Sequence, residues 1–235
     1  MAATAVGIDL GTSYSSCAVL VNGRVEILRD EFGREKIPSF VAFTDKGRLV
    51  GTQAKEQLAL NAPNTIFGIK RFMGVKGQLG AEVASYLKLP FAVSYSPSKS
   101  SFQNCPDKIS IDVKCLGWRQ EYVPEQVTAM ILSKLKILAE KKISCEVDSA
   151  VISVPAFFNS YQRQATVQAG KIAGFVNVNL INEPTAIAMT YCKELCTDDN
   201  PSSVLILDIG GGFMSLTRAS LSKSQVQIRD SVTLP

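Results

Sequence analysis

The order of apolar and polar positions divides the chain into a strand-rich start and a later stretch of alternating strands and helices. Ala5 to Asp9, Ser16 to Asn22, Val25 to Arg29 and Phe40 to Phe43 are short apolar or β-branched runs set off by glycine. Asn22-Gly23, between the second and third, is a hairpin signal. Residues 52–73 read as helical and loop-rich, with Pro63 as a break. No period is sustained over 75–118, where Ser-Pro-Ser-Lys-Ser-Ser at 96–101 reads as a surface loop. From Pro124, helical spacing recurs at Val127, Met130, Ile131, Leu135 and Leu138, with Glu125 in the first turn and Lys141 and Lys142 in the last. Then come a strand at Ser149 to Val154, a helix from about Ser160 to Ala173 stopped by Gly174, and a strand at Asn177 to Ile181. A helix from Pro184 follows, and after it strands at Val204 to Asp208, Ser215 to Leu221 and Gln225 to Arg229. This alternation predicts an α/β layered fold.

One local pattern occurs twice. Val6-Gly7-Ile8-Asp9-Leu10-Gly11-Thr12-Ser13 and Leu205-Ile206-Leu207-Asp208-Ile209-Gly210-Gly211-Gly212 are each an apolar strand, an aspartate, an apolar residue and a turn of glycine and small residues. Another strand follows each turn, so the repeat suggests two related lobes presenting matched turns to one ligand. Glycine lets backbone N–H groups approach a ligand without a Cβ in the way, and successive N–H groups form an anion-binding concavity. An aspartate beside an anion repels it unless a cation lies between, and hydrated Mg²⁺ shared by carboxylates and phosphates fits that need. Asp9 and Asp208 are therefore the candidate Mg²⁺ holders, with Gly11, Thr12, Ser13, Gly211 and Gly212 as the phosphate cradle. Either turn alone is more simply read as a tight hairpin; the matched pair carries the argument. Neither a P-loop nor a dinucleotide fingerprint is present, and Lys171 lies at the wrong spacing for one.

Composition narrows the chemistry. The 235 residues are 46% hydrophobic and 20% charged, an ordinary globular balance. A net charge of +4 with interspersed signs gives no warrant for nucleic acid. The N-terminal residues lack a basic segment, and no run reaches the ~18 apolar residues of a membrane span. Six cysteines form no CxxC pair, and Cys192 and Cys196, four apart, are read as packing. These features fit a reducing, cytosolic setting. Histidine is absent, which removes Ser-His and Cys-His nucleophiles and the commonest zinc ligand.

Several separated blocks together resemble the nucleotide-binding domain of the Hsp70 chaperones, within the actin-like (ribonuclease H-like) ATPase superfamily. They are Gly7 to Ser15, Ile37-Pro38-Ser39-Phe40-Val41-Ala42-Phe43-Thr44, Asn64-Thr65-Ile66-Phe67-Gly68-Ile69-Lys70-Arg71 and Val154-Pro155-Ala156-Phe157-Phe158-Asn159. Gln162-Arg163-Gln164-Ala165-Thr166, Ile181-Asn182-Glu183-Pro184-Thr185-Ala186 and Asp208-Ile209-Gly210-Gly211-Gly212 complete the set. The resemblance implies a first lobe over about 1–196 and the opening strands of a second over about 203–235. The rest of that lobe and a substrate-binding domain fall outside the sequence.

What the resemblance implies is an ATP/ADP site with Mg²⁺, and K⁺ as a second cation. Lys70 matches the catalytic lysine, although a Lys-Arg pair by itself reads as surface. Glu183 matches a carboxylate near the metal and the attacking water, with Asp9 and Asp208 completing the catalytic set. Tyr14 and Phe213 join the glycine turns as nucleotide-binding positions. Pro155 and Arg163 match residues that relay nucleotide state to the substrate domain. Expected partners are J-domain proteins and nucleotide-exchange factors, with unfolded clients only where a longer form carries a substrate-binding domain, in the cytoplasm and nucleus, with no nucleic acid and no membrane.

Three departures bear on activity. Phe213-Met214-Ser215 stands where the family has Thr-Phe-Asp, so a hydroxyl near the γ-phosphate and a cation-binding carboxylate are lost, and the Phe213 ring crowds the site. Losing one donor aimed at a transition state commonly costs roughly a hundredfold in rate. Asn179 replaces an arginine implicated in J-domain coupling. The readings left open are an Hsp70-type ATPase, a non-catalytic Hsp70-like regulator such as a ribosome-associated partner, and a sugar or acetate kinase of the same superfamily. The blocks around Lys70 and Glu183 argue against the last.

Overall fold

A computed structural model of the protein describes residues 5–75, 77–96, 108–196 and 198–234. Its centre is a six-stranded sheet. β1 (Ala5–Leu10) lies in the middle, antiparallel to β2 (Tyr14–Val21) and parallel to β11 (Ser149–Val154). β3 (Arg24–Ile27) extends the β2 side and β12 (Asn177–Asn182) the β11 side, while β4 (Ile37–Pro38) pairs the start of β2. Strict alternation along β1 buries Val6, Ile8 and Leu10 and leaves Ala5, Gly7 and Asp9 on the other face. Asn22 and Gly23, both at positive φ, make the predicted hairpin between β2 and β3.

Two small sheets sit beside the centre. β5 (Phe40–Thr44) is flanked by β6 (Gly47–Val50) and β7 (Thr65–Phe67), and α1 (Thr52–Glu56) follows β6. β9 (Lys108–Cys115) is flanked by β8 (Ala92–Ser96) and β10 (Trp118–Tyr122), with α2 (Gly77–Tyr86) packed on β8 and β9. This helix, β8 and β9 occupy the stretch that shows no sequence period, and β10 begins at its end. The loop expected at 96–101 lies, apart from Ser96, outside the described residues.

The helix α3 (Pro124–Ile143) joins these layers into one core. Its Val127, Ile131, Leu132, Leu135 and Ala139 are almost wholly buried, packed with Ile8, Phe43, Phe72, Ile111 and Ile152. Pro124 opens the helix where its missing N–H costs nothing, and Ser144 in the left-handed region closes it. α4 (Ser160–Ile172) packs on α3 and starts at a capping box: Gln162 N–H donates to Asn159 Oδ1, and Asn159 N–H donates to Gln162 Oε1.

After α5 (Glu183–Leu195) the chain forms β13 (Ser202–Ile209), β14 (Met214–Leu221) and β15 (Val226–Leu234), an antiparallel sheet of three. α5 covers one face, where Ala188, Ile206, Ala219 and Leu221 make a small second core. β15 runs past the expected Arg229, which is itself the extra residue at a register shift opposite Arg218/Ala219. Cys192 is buried in α5 with its thiol 2.8 Å from the Ser222 carbonyl, a packing role as the spacing suggested.

Candidate functional site

The two repeated segments fold as hairpins with the same register. Asp9 stands opposite Ser16 across β1 and β2, and Asp208 stands opposite Ser215 across β13 and β14. The first turn needs glycine: a Cβ on Gly11 meets the Tyr14 carbonyl oxygen at 2.1 Å. Two of its carbonyls are taken up by Ser39: Gly11 O accepts from Ser39 Oγ at 2.8 Å and Ser13 O from Ser39 N–H at 2.9 Å. The second turn is closed by Gly210 N–H donating to Phe213 O at 2.9 Å.

The turns meet. A Cβ on Gly211 falls 2.0 Å from Ser13 Oγ, and one on Gly212 falls 2.5 Å from Thr12 Oγ1. Glycine at these positions makes room for the other turn, and Gly11, Thr12, Ser13, Gly211 and Gly212 come together as the repeat suggested.

Lys70 lies beside the turns on a 3₁₀ segment, Ile69–Phe72, entered through Gly68 at φ 62°. It is only 5% exposed, against the surface reading of a lone Lys-Arg pair. The reason is its partner: Nζ lies 2.6 Å from Glu183 Oε1 and 5.9 Å from the centre of the Phe158 ring. Glu183 is the first residue of α5, placed there by Asn182 at the N-cap and Pro184 behind it. Burial raises its pKa above the ordinary carboxylate value, the Asp208 and Asp9 charges add to that, and Lys70 opposes it. Asp9 is fixed by Ser153, whose hydroxyl donates to Oδ1 at 2.8 Å.

Three carboxylates against one ammonium leave the cluster net negative, and every donor is a hard oxygen. Among the described residues no three such side chains converge closely enough to hold a metal directly. A hydrated Mg²⁺, reached through its waters and shared with phosphates, fits this donor set.

Around this centre Arg71, Phe157 and Lys55, which had no role in the sequence reading, join positions that did. Arg71 donates from Nη2 to Gly211 O at 3.1 Å, and its guanidinium lies 5.8 Å over the Phe213 ring. That ring meets Phe157 edge-on at 4.9 Å. Tyr14, 43% exposed, accepts from Lys55 Nζ at 2.7 Å; that bond and the Lys55 charge lower its pKa. Arg163 holds the segment after Pro155: Nε donates to Phe158 O, and Nη2 to Ala156 O and Asn182 Oδ1. Arg163 thereby ties the end of β11 to the start of α5. Asn179 is exposed on β12. The only sequence signal for Ser39, Arg71 and Phe157 is their presence in the blocks quoted above; Ser153 and Lys55 carry none.

A sequence model of the family described as Hsp70 protein matches residues 5–231. Among curated relatives, the heat shock 70 kDa protein of Ajellomyces capsulatus is 38% identical over 229 residues, covering 97% of this chain and 31% of that protein. A ribosome-associated molecular chaperone of Eremothecium gossypii is 40% identical over 218 residues, 93% of this chain and 34% of its own length. A ribosome-associated molecular chaperone of Nakaseomyces delphensis is 42% identical over 213 residues, 91% of this chain and 33% of its own. The chain thus spans about a third of the length of these relatives. Among the described residues no helix is long and apolar enough to cross a membrane.

Proposed function

The chain belongs to the Hsp70 family and has its actin-like ATPase fold, and from that premise we propose that the paired turns bind the phosphates of ATP and ADP with Mg²⁺. One observation carries this reading: two hairpins of matched register meet at their glycines beside the ion pair of buried Lys70 with half-buried Glu183, close to the charges of Asp9 and Asp208. In it, Asp9 and Asp208 hold hydrated Mg²⁺, and K⁺ is a second cation of the same oxygen-rich cluster. The metal supplies charge neutralisation between the carboxylates and the phosphates. Backbone N–H groups of Gly11 to Tyr14 and Gly211 to Phe213 bind phosphate oxygens, and Lys70 orients the terminal group, with Glu183 directing water. Catalysis of this kind is mainly positioning and charge stabilisation.

Hydrolysis is slow in this reading, because Lys70 is engaged by Glu183 and Phe213 offers no hydroxyl. Residues to about 196 form the first lobe and 203–235 the opening strands of the second. Pro155 and Arg163 would pass nucleotide state onward to a peptide-binding domain, with J-domain proteins and exchange factors as regulators and unfolded proteins as clients. The setting is the cytoplasm and nucleus, in protein folding and stress response.

A second reading is favoured by the clasp of Arg71 on Gly211 and Phe213: a nucleotide-holding, non-catalytic partner, as at ribosomes. Calorimetry with Mg-ATP and Mg-ADP tests the common part. Micromolar binding lost in Asp208→Asn is expected, and no binding of either nucleotide would sink it. Single-turnover hydrolysis then separates the two readings.

A further inference from the structure

We propose that the cleft selects nucleoside diphosphates over triphosphates, because Phe213, held by Phe157 and Arg71, closes the end where a third phosphate would lie. The inference rests on the nucleotide reading above and concerns how much phosphate the site admits.

The Phe213 ring has a fixed place. Its edge-on contact with Phe157 and the guanidinium of Arg71 over its face hold it on two sides. Arg71 simultaneously donates to Gly211 O, so one side chain fixes both the ring and the backbone of the turn. The turn itself lies down on Ser13 and Thr12, with no room for a methyl group at Gly211 or Gly212 unless those side chains move. An anion cannot pass between the inner parts of the two turns unless this contact opens.

Charge points the same way. The cations at the inner end are Lys70 and Arg71, and both are engaged, Lys70 by Glu183 at 2.6 Å and Arg71 by Gly211 O and Phe213. A terminal phosphate brings up to about two negative charges toward Asp9, Glu183 and Asp208. To reach Lys70 it must break the pair and leave the half-buried Glu183 without its partner. At Arg71 it competes with Gly211 O and the Phe213 ring, which that side chain already contacts. A diphosphate resting on Gly11 to Tyr14 does neither.

The test is calorimetry of the full 235-residue chain with Mg-ADP and with Mg-ATP, for wild type, Phe213→Thr and Phe213→Tyr. Wild type is expected to bind ADP about tenfold or more tightly than ATP. Phe213→Thr should narrow the gap to about threefold or less by gaining ATP affinity, and Phe213→Tyr, which keeps the ring, should preserve it. Amide exchange at Gly211 to Met214 without nucleotide should speed up in Phe213→Thr, a readout that needs no ligand. If that variant does not fold, Arg71→Lys removes the planar guanidinium from the Phe213 ring while keeping the charge, and should narrow the gap likewise. Equal ADP and ATP affinity in wild type, or a gap unmoved when the turn has loosened, overturns the inference and leaves the nucleotide site standing. Binding of neither nucleotide overturns the site itself, and the inference with it.

Discussion

The hairpins β1–β2 and β13–β14 share a register and a turn, yet their strands are covered differently. In β1 the inward residues Val6, Ile8 and Leu10 are at most 3% exposed, and the outward ones, Ala5, Gly7 and Asp9, are small or charged. In β13 only Ile206 is comparably buried, while Leu205, Leu207 and Ile209 on its other face are 65%, 58% and 69% exposed. Met214, Leu216, Val232 and Leu234 continue that apolar face across β14 and β15. A strand with one dry face alternates, and a strand apolar on both faces is written for a sheet covered on both sides. The first hairpin is thus supplied with its whole core, whereas the second is supplied with α5 alone. Turn geometry survives this difference because it depends on local glycines and on the opposite turn.

Truncating the same residue type in the two hairpins gives the largest contrast. Ile8→Ala, at a 3% exposed site, should cost roughly 2–5 kcal/mol in denaturant unfolding. Ile209→Ala, 69% exposed, should change stability by about 0.5 kcal/mol or less. Comparable losses would mean that the outer face of β13 is covered in solution. A smaller contrast is expected at the turns. Gly11→Ala drives a methyl into the Tyr14 carbonyl at 2.1 Å and should cost roughly 1–3 kcal/mol, because backbone must move. Gly211→Ala meets the Ser13 side chain on a neighbouring turn, which can yield, so a cost of about 1 kcal/mol or less is expected. If the two cost the same, the second turn is as rigidly held as the first.

The smallest effect is electrostatic and lies where the hairpins meet. Burial raises the Glu183 pKa, so the folded protein holds this proton more tightly than the unfolded chain. The stabilisation is complete below the ordinary carboxylate range and is lost as pH rises through the raised value. Plotted against pH, the Tm of wild type relative to Glu183→Gln should therefore decline across that interval. A flat difference would show that Lys70 fully offsets the burial.

Much of the fold was legible because strong periods coincide with strong punctuation. α3 begins at Pro124 and ends with two lysines; α4 has its cap and Gly174; β1 and β13 end in glycine turns. The stretch over 75–118 was illegible for a physical reason seen at Gly80. Within α2 this glycine reads as a helix breaker, but a Cβ there would lie 2.0 Å from Ile109 Cδ1, so it is present to let helix and sheet approach. At the site, the aspartates and glycines announce themselves by repetition. The burial of Lys70 does not, since it depends on Glu183, 113 residues away. The place of the Phe213 ring depends likewise on Phe157 and Arg71, from two other parts of the chain.

The parallel pairing of β1 with β11 sets a clock on synthesis. Asp9 and its fixing partner Ser153 are 144 residues apart, so at ~5–20 residues per second the first strand emerges roughly 7–30 s before its central neighbour exists. During that interval β1 can pair only with β2, and one edge of an apolar strand stands open. Completion of the central sheet is then a late, long-range event that local propensity cannot hasten. A nascent chain of this design spends its early life needing the kind of protection from aggregation that chaperones exist to give.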